Sequence, residues 1–426
     1  MNRVDKWGKH TRMWMVGVGV LAVLAASGGV AAAAARTDRS GGDPVQVAQA
    51  DAKATTATAG NPTKLAKPGR KPSPSPSPTG SPTTSPTPTP TTSPGAGTDV
   101  QLSMPGFVPN YRFGDVLVDR AHGHVYITGG TGTSDLVITD LDGGNVRTLA
   151  GVAPGAAGMA LSPDGTKLYI AASDQDWLRI VDTTTFATSG QFAGKTDGTM
   201  TCPRDVAFAA GQLWVSWGCD NAPAGIGRVD IQTGAFQLNA IGSIDDRIVT
   251  APLLATTPSQ PNMVIAGETG SNPALVVRFE ATSTLLNQQA IRSTGGGSVD
   301  QMAITPDGSQ LIIASGSPYY HAAWRTSDLV EVHQYPTAAY PNSVAIRDDG
   351  LVIAGIDGAY EKDVYVFQPG GSTPIATYEF GHLPNQETWP YTLVPGGLAV
   401  DGTRIYAITQ VPGESGVVTL RIRDLA

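Results

Sequence analysis

Side chains able to do chemistry are few in this chain, and none falls into a catalytic signature. There is no H-E-x-x-H, no G-x-S-x-G and no G-x-x-x-x-G-K-[ST], so zinc peptidase, serine hydrolase and P-loop chemistries lack their motifs. The two cysteines, Cys202 and Cys219, form no C-x-x-C, which argues against a redox role and leaves a disulfide or two buried thiols. They sit symmetrically about Ala210 and Gly211. On the two arms of a hairpin they would face each other with Cα atoms roughly 4.5–5.5 Å apart, within disulfide reach. The remaining candidates are polar or aromatic. Arg204, Asp205, Asp300 and Asn342 each stand just before an alternating apolar run, while Tyr319, Tyr320 and His321 share one loop and Trp389 and Tyr391 another. Converging oxygens of the first group could hold calcium, which takes about six such ligands. Rings beside carboxylates, as in the other two groups, suit a sugar, a cationic ligand or a protein partner. His122 and His124 have the spacing of two metal ligands on one strand face but fall in a turn.

What positions these residues is a repeated unit. GMALSPDGTKLYIAAS at 158–173 and QMAITPDGSQLIIASG at 301–316 are nearly the same segment, each with apolar residues alternating at period 2 on both sides of a PDG turn. Each predicts a β-hairpin. Weaker copies start at Asp115, Asp205, Leu253, Ser343 and Gly397, which makes seven hairpins. A third alternating run follows each hairpin, poorest at HAAWRTSDL from 321, and a fourth short run follows in six of the seven units. The seventh lacks it because the chain ends at Ala426, but DVQLSM at 99–104 precedes the first hairpin. An all-β, seven-bladed propeller of four-stranded antiparallel blades is therefore predicted over 99–426, its last blade closed by the N-terminal strand 99–104. Asp140, Asp182 and Asp230, after the third strands, read as turn formers whose side chains bond the following backbone.

The pattern xVAxxPDGxxLYxAxS, loop, xxVxVxDTxTxxV resembles that of the YncE-like, YVTN-type seven-bladed propellers, over essentially all of 99–426. The resemblance implies an exported or cell-surface propeller, in a family of which many members have no assigned reaction. Two propeller groups of similar fold set further expectations. The gluconolactonase and regucalcin group holds a divalent metal at the channel mouth, where this chain offers Asp205, Asp300 and Asn342 but also the competing cation Arg204. The virginiamycin lyase type uses histidines near the channel, where only His321 and His382 fall on the corresponding loop face. A ligand- or protein-binding module acting through an acidic, aromatic loop face is the leading expectation, with a metal-assisted hydrolase or lyase at the channel mouth as the alternative. Solvated loop carboxylates, or carboxylates and Arg204 tying neighbouring blades together, remain the plain structural readings of the same residues. No bound cofactor is called for, calcium being the one candidate.

Charge and composition separate the chain into a head and a body. Residues 1–98 carry +7 and residues 99–426 carry −15. An acidic body lacks the clustered Lys and Arg that phosphate binding requires, which excludes a nucleic-acid protein of the usual kind. Four basic residues precede the uncharged stretch 13–35, so 1–35 reads as an export segment with the body outside the cytoplasm. Ala33 and Ala35 suit cleavage as a signal peptide, and the 23 uncharged residues equally suit a retained membrane anchor. Neither cysteine lies near residue 35, so lipidation there is excluded. Residues 36–98 read as a disordered Pro/Ser/Thr-rich stalk, whose 72–94 stretch would extend roughly 70 Å as polyproline II. The expected product is a monomeric propeller, secreted or held on the outer side of the cytoplasmic membrane, with an unknown protein, glycan or small molecule as partner.

Overall fold

The structure is a computed structural model, and it describes residues 97–109, 112–193, 201–219, 223–242, 248–358, 361–381 and 391–425, with backbone only for 190–193. All of these fall within one compact unit, Thr83–Ala426. The export segment 1–35 and the stalk residues up to 96 lie outside the described residues, as do His382 and Trp389. No helix among the described residues is long and apolar enough to cross a membrane.

Among the described residues, twenty-eight strands form seven four-stranded antiparallel sheets. Six of them follow chain order, from β2 (Asp115–Asp119) through β25 (Ala376–Tyr378), four strands to a blade. The seventh has the order β1–β28–β27–β26, with β1 (Thr98–Ser103), β26 (Thr392–Asp401), β27 (Arg404–Gln410) and β28 (Val417–Asp424). The strand predicted at 99–104 does close the last blade, one residue earlier than expected. The first strands of successive blades touch in cyclic order, and β26 returns to β2, so the ring is complete.

The packing explains the sequence pattern. Seven apolar clusters fill the seven interfaces between neighbouring blades, so the second strands are buried on both faces. Along β27, Ile405 and Ala407 point into the sixth blade while Tyr406 and Ile408 point into the first. Second strands therefore read as nearly continuous apolar runs such as LYIAA and LIIA, while outer strands such as β21 (Val330–Pro336) keep a solvated face. The PDG turns and the loops after the third strands hold their aspartates as backbone acceptors. Asp164 takes the Thr166 amide, and Asp182 those of Thr184 and Thr185. Asp140 and Asp230 serve their turns in the same way. His122 bonds Asp119 at 2.8 Å and the His124 ring packs on Phe186, which gives both imidazoles structural neighbours in this surface region.

Ring closure carries its own charge clasp. Asp99 lies directly opposite Arg421 across the β1–β28 pair and is bonded by it, and Arg423 bonds the same carboxylate at 2.7 Å. Arg421 is almost fully buried, so its charge needs this partner. Asp99→Ala should lower stability by about 1–2 kcal/mol, between the values for exposed and buried charge-assisted bonds. Deleting 97–103 should abolish the single cooperative thermal transition, as read by calorimetry, because it strips one edge from the last blade.

Candidate functional site

Residues on or just before the first strands of six blades, all but the sixth, line a cavity of about 280 Å3 at one mouth of the channel. Three of the residues singled out from the sequence, Arg204, Asp205 and Asp300, line it together with Asp115 and Arg112. Arg204 gets there through a β-bulge. The register of β10 (Pro203–Ala209) against β11 (Gln212–Gly218) shifts between Pro203 and Asp205, and Arg204 is the extra residue. A bulge re-aims a side chain, and here Arg204 reaches across to the first-blade carbonyl of Phe113 at 3.4 Å. Arg112 crosses in another direction, from the first blade to Gly270 on the fourth, where any Cβ would collide with its guanidinium and where φ is +77°.

The carboxylates have two jobs. Asp115 accepts the Met159 amide of the next blade at 3.0 Å. Asp205 accepts its neighbour Val206 at 2.8 Å with one oxygen and Leu254 of the next blade at 2.7 Å with the other. Gln301, Asn342 and Ser343 extend this belt, bonding Val344, Leu393 and Val394 of the following blades. Gly158 is where the belt is tightest, because a Cβ there would overlap the Asp205 carboxylate. Asp300 is different. Its carboxylate accepts one hydrogen bond among the described residues, from the Ser298 hydroxyl at 3.3 Å. Burial pushes the three acids well above the usual carboxylate range, to about 6 for Asp115, about 7 for Asp205 and about 6 for Asp300. Backbone donors and the nearby Arg204 pull Asp115 and Asp205 down without cancelling that effect, and Asp115 pushes Asp205 up further.

The other sequence candidates go elsewhere. Asn342 was expected at the channel mouth, but it occupies a second bulge, donates to Leu393 and is not part of the cavity lining. His321 was expected on the loop face. It is instead inside β20 (Tyr320–Arg325) with no exposed surface, its Nε2 3.0 Å from the Ser343 carbonyl, and burial pushes its pKa down to about 4. Tyr320 begins the same strand and its hydroxyl approaches Glu331 at 3.5 Å. The Tyr391 ring covers the guanidinium of Arg421 at 4.1 Å, next to the ring-closing clasp.

Tyr319 does reach solvent, and it does so with a partner the sequence reading missed. Tyr319 and Tyr340 are 55% and 56% exposed, edge to face at 5.5 Å between centroids. Tyr340 lies just before β22 (Pro341–Ile346), in the left-handed region at φ +65°. The Gly316 amide on the Pro341 carbonyl and the Asp357 amide on the Tyr340 carbonyl lock this loop pair together. Reading the residues before each first strand would have found Tyr340, and extending that window by a few positions would have found Arg112.

Cys202 and Cys219 form a disulfide, with Cα atoms 5.1 Å apart. They stand just outside the paired strands rather than within them, because the Arg204 bulge ends the register before Cys202. Among the described residues no three carboxylate, imidazole or thiolate side chains gather in a way that could hold a metal ion. The oxygens of Asp205 are each engaged by a backbone amide, with a guanidinium alongside, so the residues at this mouth do not fit a calcium ion.

No protein-family model and no curated protein matches the chain. Among solved structures it is similar to the β-propeller domain of Cps50 (Swd1) from Myceliophteria thermophila, at 14% identity and a TM-score of 0.55. The match covers 76% of this chain and 99% of that one. Such a likeness speaks for the fold alone.

Acids whose folded pKa is raised hold extra protons in the native state, so stability is lost as pH rises through those values. Asp115, Asp205, Asp300 and Asp363, the last pushed by burial to about 7, all act in this direction. His321 acts the other way, because an imidazole kept neutral by burial gains stability as pH rises from about 4 to its ordinary value. Asp357, raised by burial in the same direction, makes five groups against one, so the melting temperature should fall between pH 5 and pH 8, and Asp300→Asn should flatten that fall. Asp205→Ala should cost about 2–3 kcal/mol in denaturant unfolding, since it strands one buried and one half-buried amide.

Proposed function

We propose that this chain is an exported or membrane-tethered binding module of the YncE-like, YVTN type, which holds a protein or ligand on the outer side of the cytoplasmic membrane. The observation that carries the binding role is the Tyr319–Tyr340 pair. Two large rings more than half exposed are costly to leave in water, and these stand on a hydrogen-bonded loop pair rather than on a loose tip. Tyrosine supplies broad contact area at small entropic loss, which is why it recurs at the centres of protein interfaces. The loop carrying Tyr319 also passes near one wall of the cavity, since Gly316 lies beside the Asp300 carboxylate. The export reading draws on the basic flank and uncharged stretch of the N-terminus, and a Cys202–Cys219 disulfide is compatible with an oxidising compartment.

Metal-assisted hydrolysis at the mouth has weaker support, because the carboxylate oxygens it would need are already committed to holding blades together.

Two measurements test the proposal. In the producing cell, the chain should be found in washed membranes or in the medium and be accessible to an added protease on intact cells; a cytoplasmic pool protected from protease would overturn the location. In solution, Tyr319→Ala combined with Tyr340→Ala should leave the melting temperature within a degree or two while abolishing cross-linking to envelope partners. Unchanged cross-linking would remove the binding role from this face.

A further inference from the structure

The channel-mouth cavity has a charge imbalance that its own residues do not settle. Three carboxyl groups and two guanidiniums face it. Arg204 is shared between Asp115 and Asp205, and Arg112 acts on Asp300. With every group ionised the cavity carries one net negative charge in a half-buried place. Asp115 and Asp205 spend their oxygens on backbone amides, whereas Asp300 keeps acceptor capacity directed at the space, with a single 3.3 Å hydroxyl contact. The rest of the wall includes apolar groups, among them Met159, Leu253 and Met302. The cavity is open to solvent on one side, and its 280 Å3 equals about nine waters of liquid volume.

An entering anion would meet three acids already disfavoured by burial, and the described residues offer no three-ligand metal group. A single organic cation satisfies both the charge and the apolar wall. We propose that the cavity is a binding site for a compact organic ammonium ion of up to about nine non-hydrogen atoms, its head against Asp300 and its stem against Leu253, Met159 and Met302. This site is separate from the Tyr319–Tyr340 pair, so either can fail without the other.

The test uses the purified full chain and n-butylammonium chloride as probe, followed by titration calorimetry at pH 5 and pH 8, with sodium butyrate and n-butanol as controls. Butylammonium should bind one site, about tenfold or more tightly at pH 8 than at pH 5, because Asp115, Asp205 and Asp300 ionise across that range in the field of Arg112 and Arg204. Butyrate and butanol should bind at least about tenfold more weakly at pH 8. Asp300→Asn, which keeps the side-chain shape, should weaken butylammonium by about tenfold or more. No butylammonium binding at pH 8, equal binding of butyrate, or an unchanged affinity in a folded Asp300→Asn variant would each overturn the proposal. Should that variant not fold, the wild-type pH dependence and the comparison with butyrate decide.

Discussion

Everything in this molecule depends on the ring being closed by a strand that belongs, in sequence, to the other end of the domain. Each blade buries one face against the blade before it and the other against the blade after it. An open array would leave two such faces in water. At ~25 cal/mol per Å2 of apolar surface, even a few hundred Å2 would cost several kcal/mol, comparable with the whole stability of a typical domain. Pairing β1 with β28 gives the last blade its fourth strand, and the residues after β1 seal the seam. Met104 bonds the Gly416 carbonyl, and Phe107 and Phe113 sit in the cluster between the seventh and first blades. The Asp99 clasp with Arg421 and Arg423 fixes the register of that pairing.

Closure also explains the chemistry of the mouth. Seven strands converging on one axis bring their leading polar residues close together and remove most of their water. The protein answers by making each such residue serve the next blade, as Asp115, Asp205, Gln301 and Ser343 do. The same burial that makes these bonds strong lifts the acids toward neutrality. A channel mouth rich in aspartate is therefore first a way of joining blades, and Asp300, whose carboxylate accepts no amide of another blade among the described residues, is the acid most open to a further role.

The hairpins were legible because recurrent PDG turns separate short apolar strands, continuous where both faces are buried and alternating where one is not, and the terminal strand was legible because six units had a fourth run and the seventh did not. The Cys202–Cys219 pairing followed from symmetry about Ala210 and Gly211, although a bulge places both cysteines beyond the strands. Bulges are also why Asn342 turns toward Leu393 and Arg204 into the channel; one inserted residue changes where its side chain points, and composition carries little trace of it. His321 was misplaced for a related reason. In the poorest repeat copy the third strand starts at Tyr320, one residue before His321, and the imidazole is then drawn inside to meet the Ser343 carbonyl. The pairing of Tyr319 with Tyr340, twenty-one residues apart on two blades, is a tertiary contact with no local signature.

Hydrogen–deuterium exchange of the full chain, followed by mass spectrometry on peptides covering 98–103 and 417–424, tests the closed ring most directly. In a closed ring the β1 amides facing β28 are protected to the same degree as β28 itself and lose protection together with it when the domain unfolds. Exchange of 98–103 as fast as an unstructured peptide, while β28 stays protected, would contradict it.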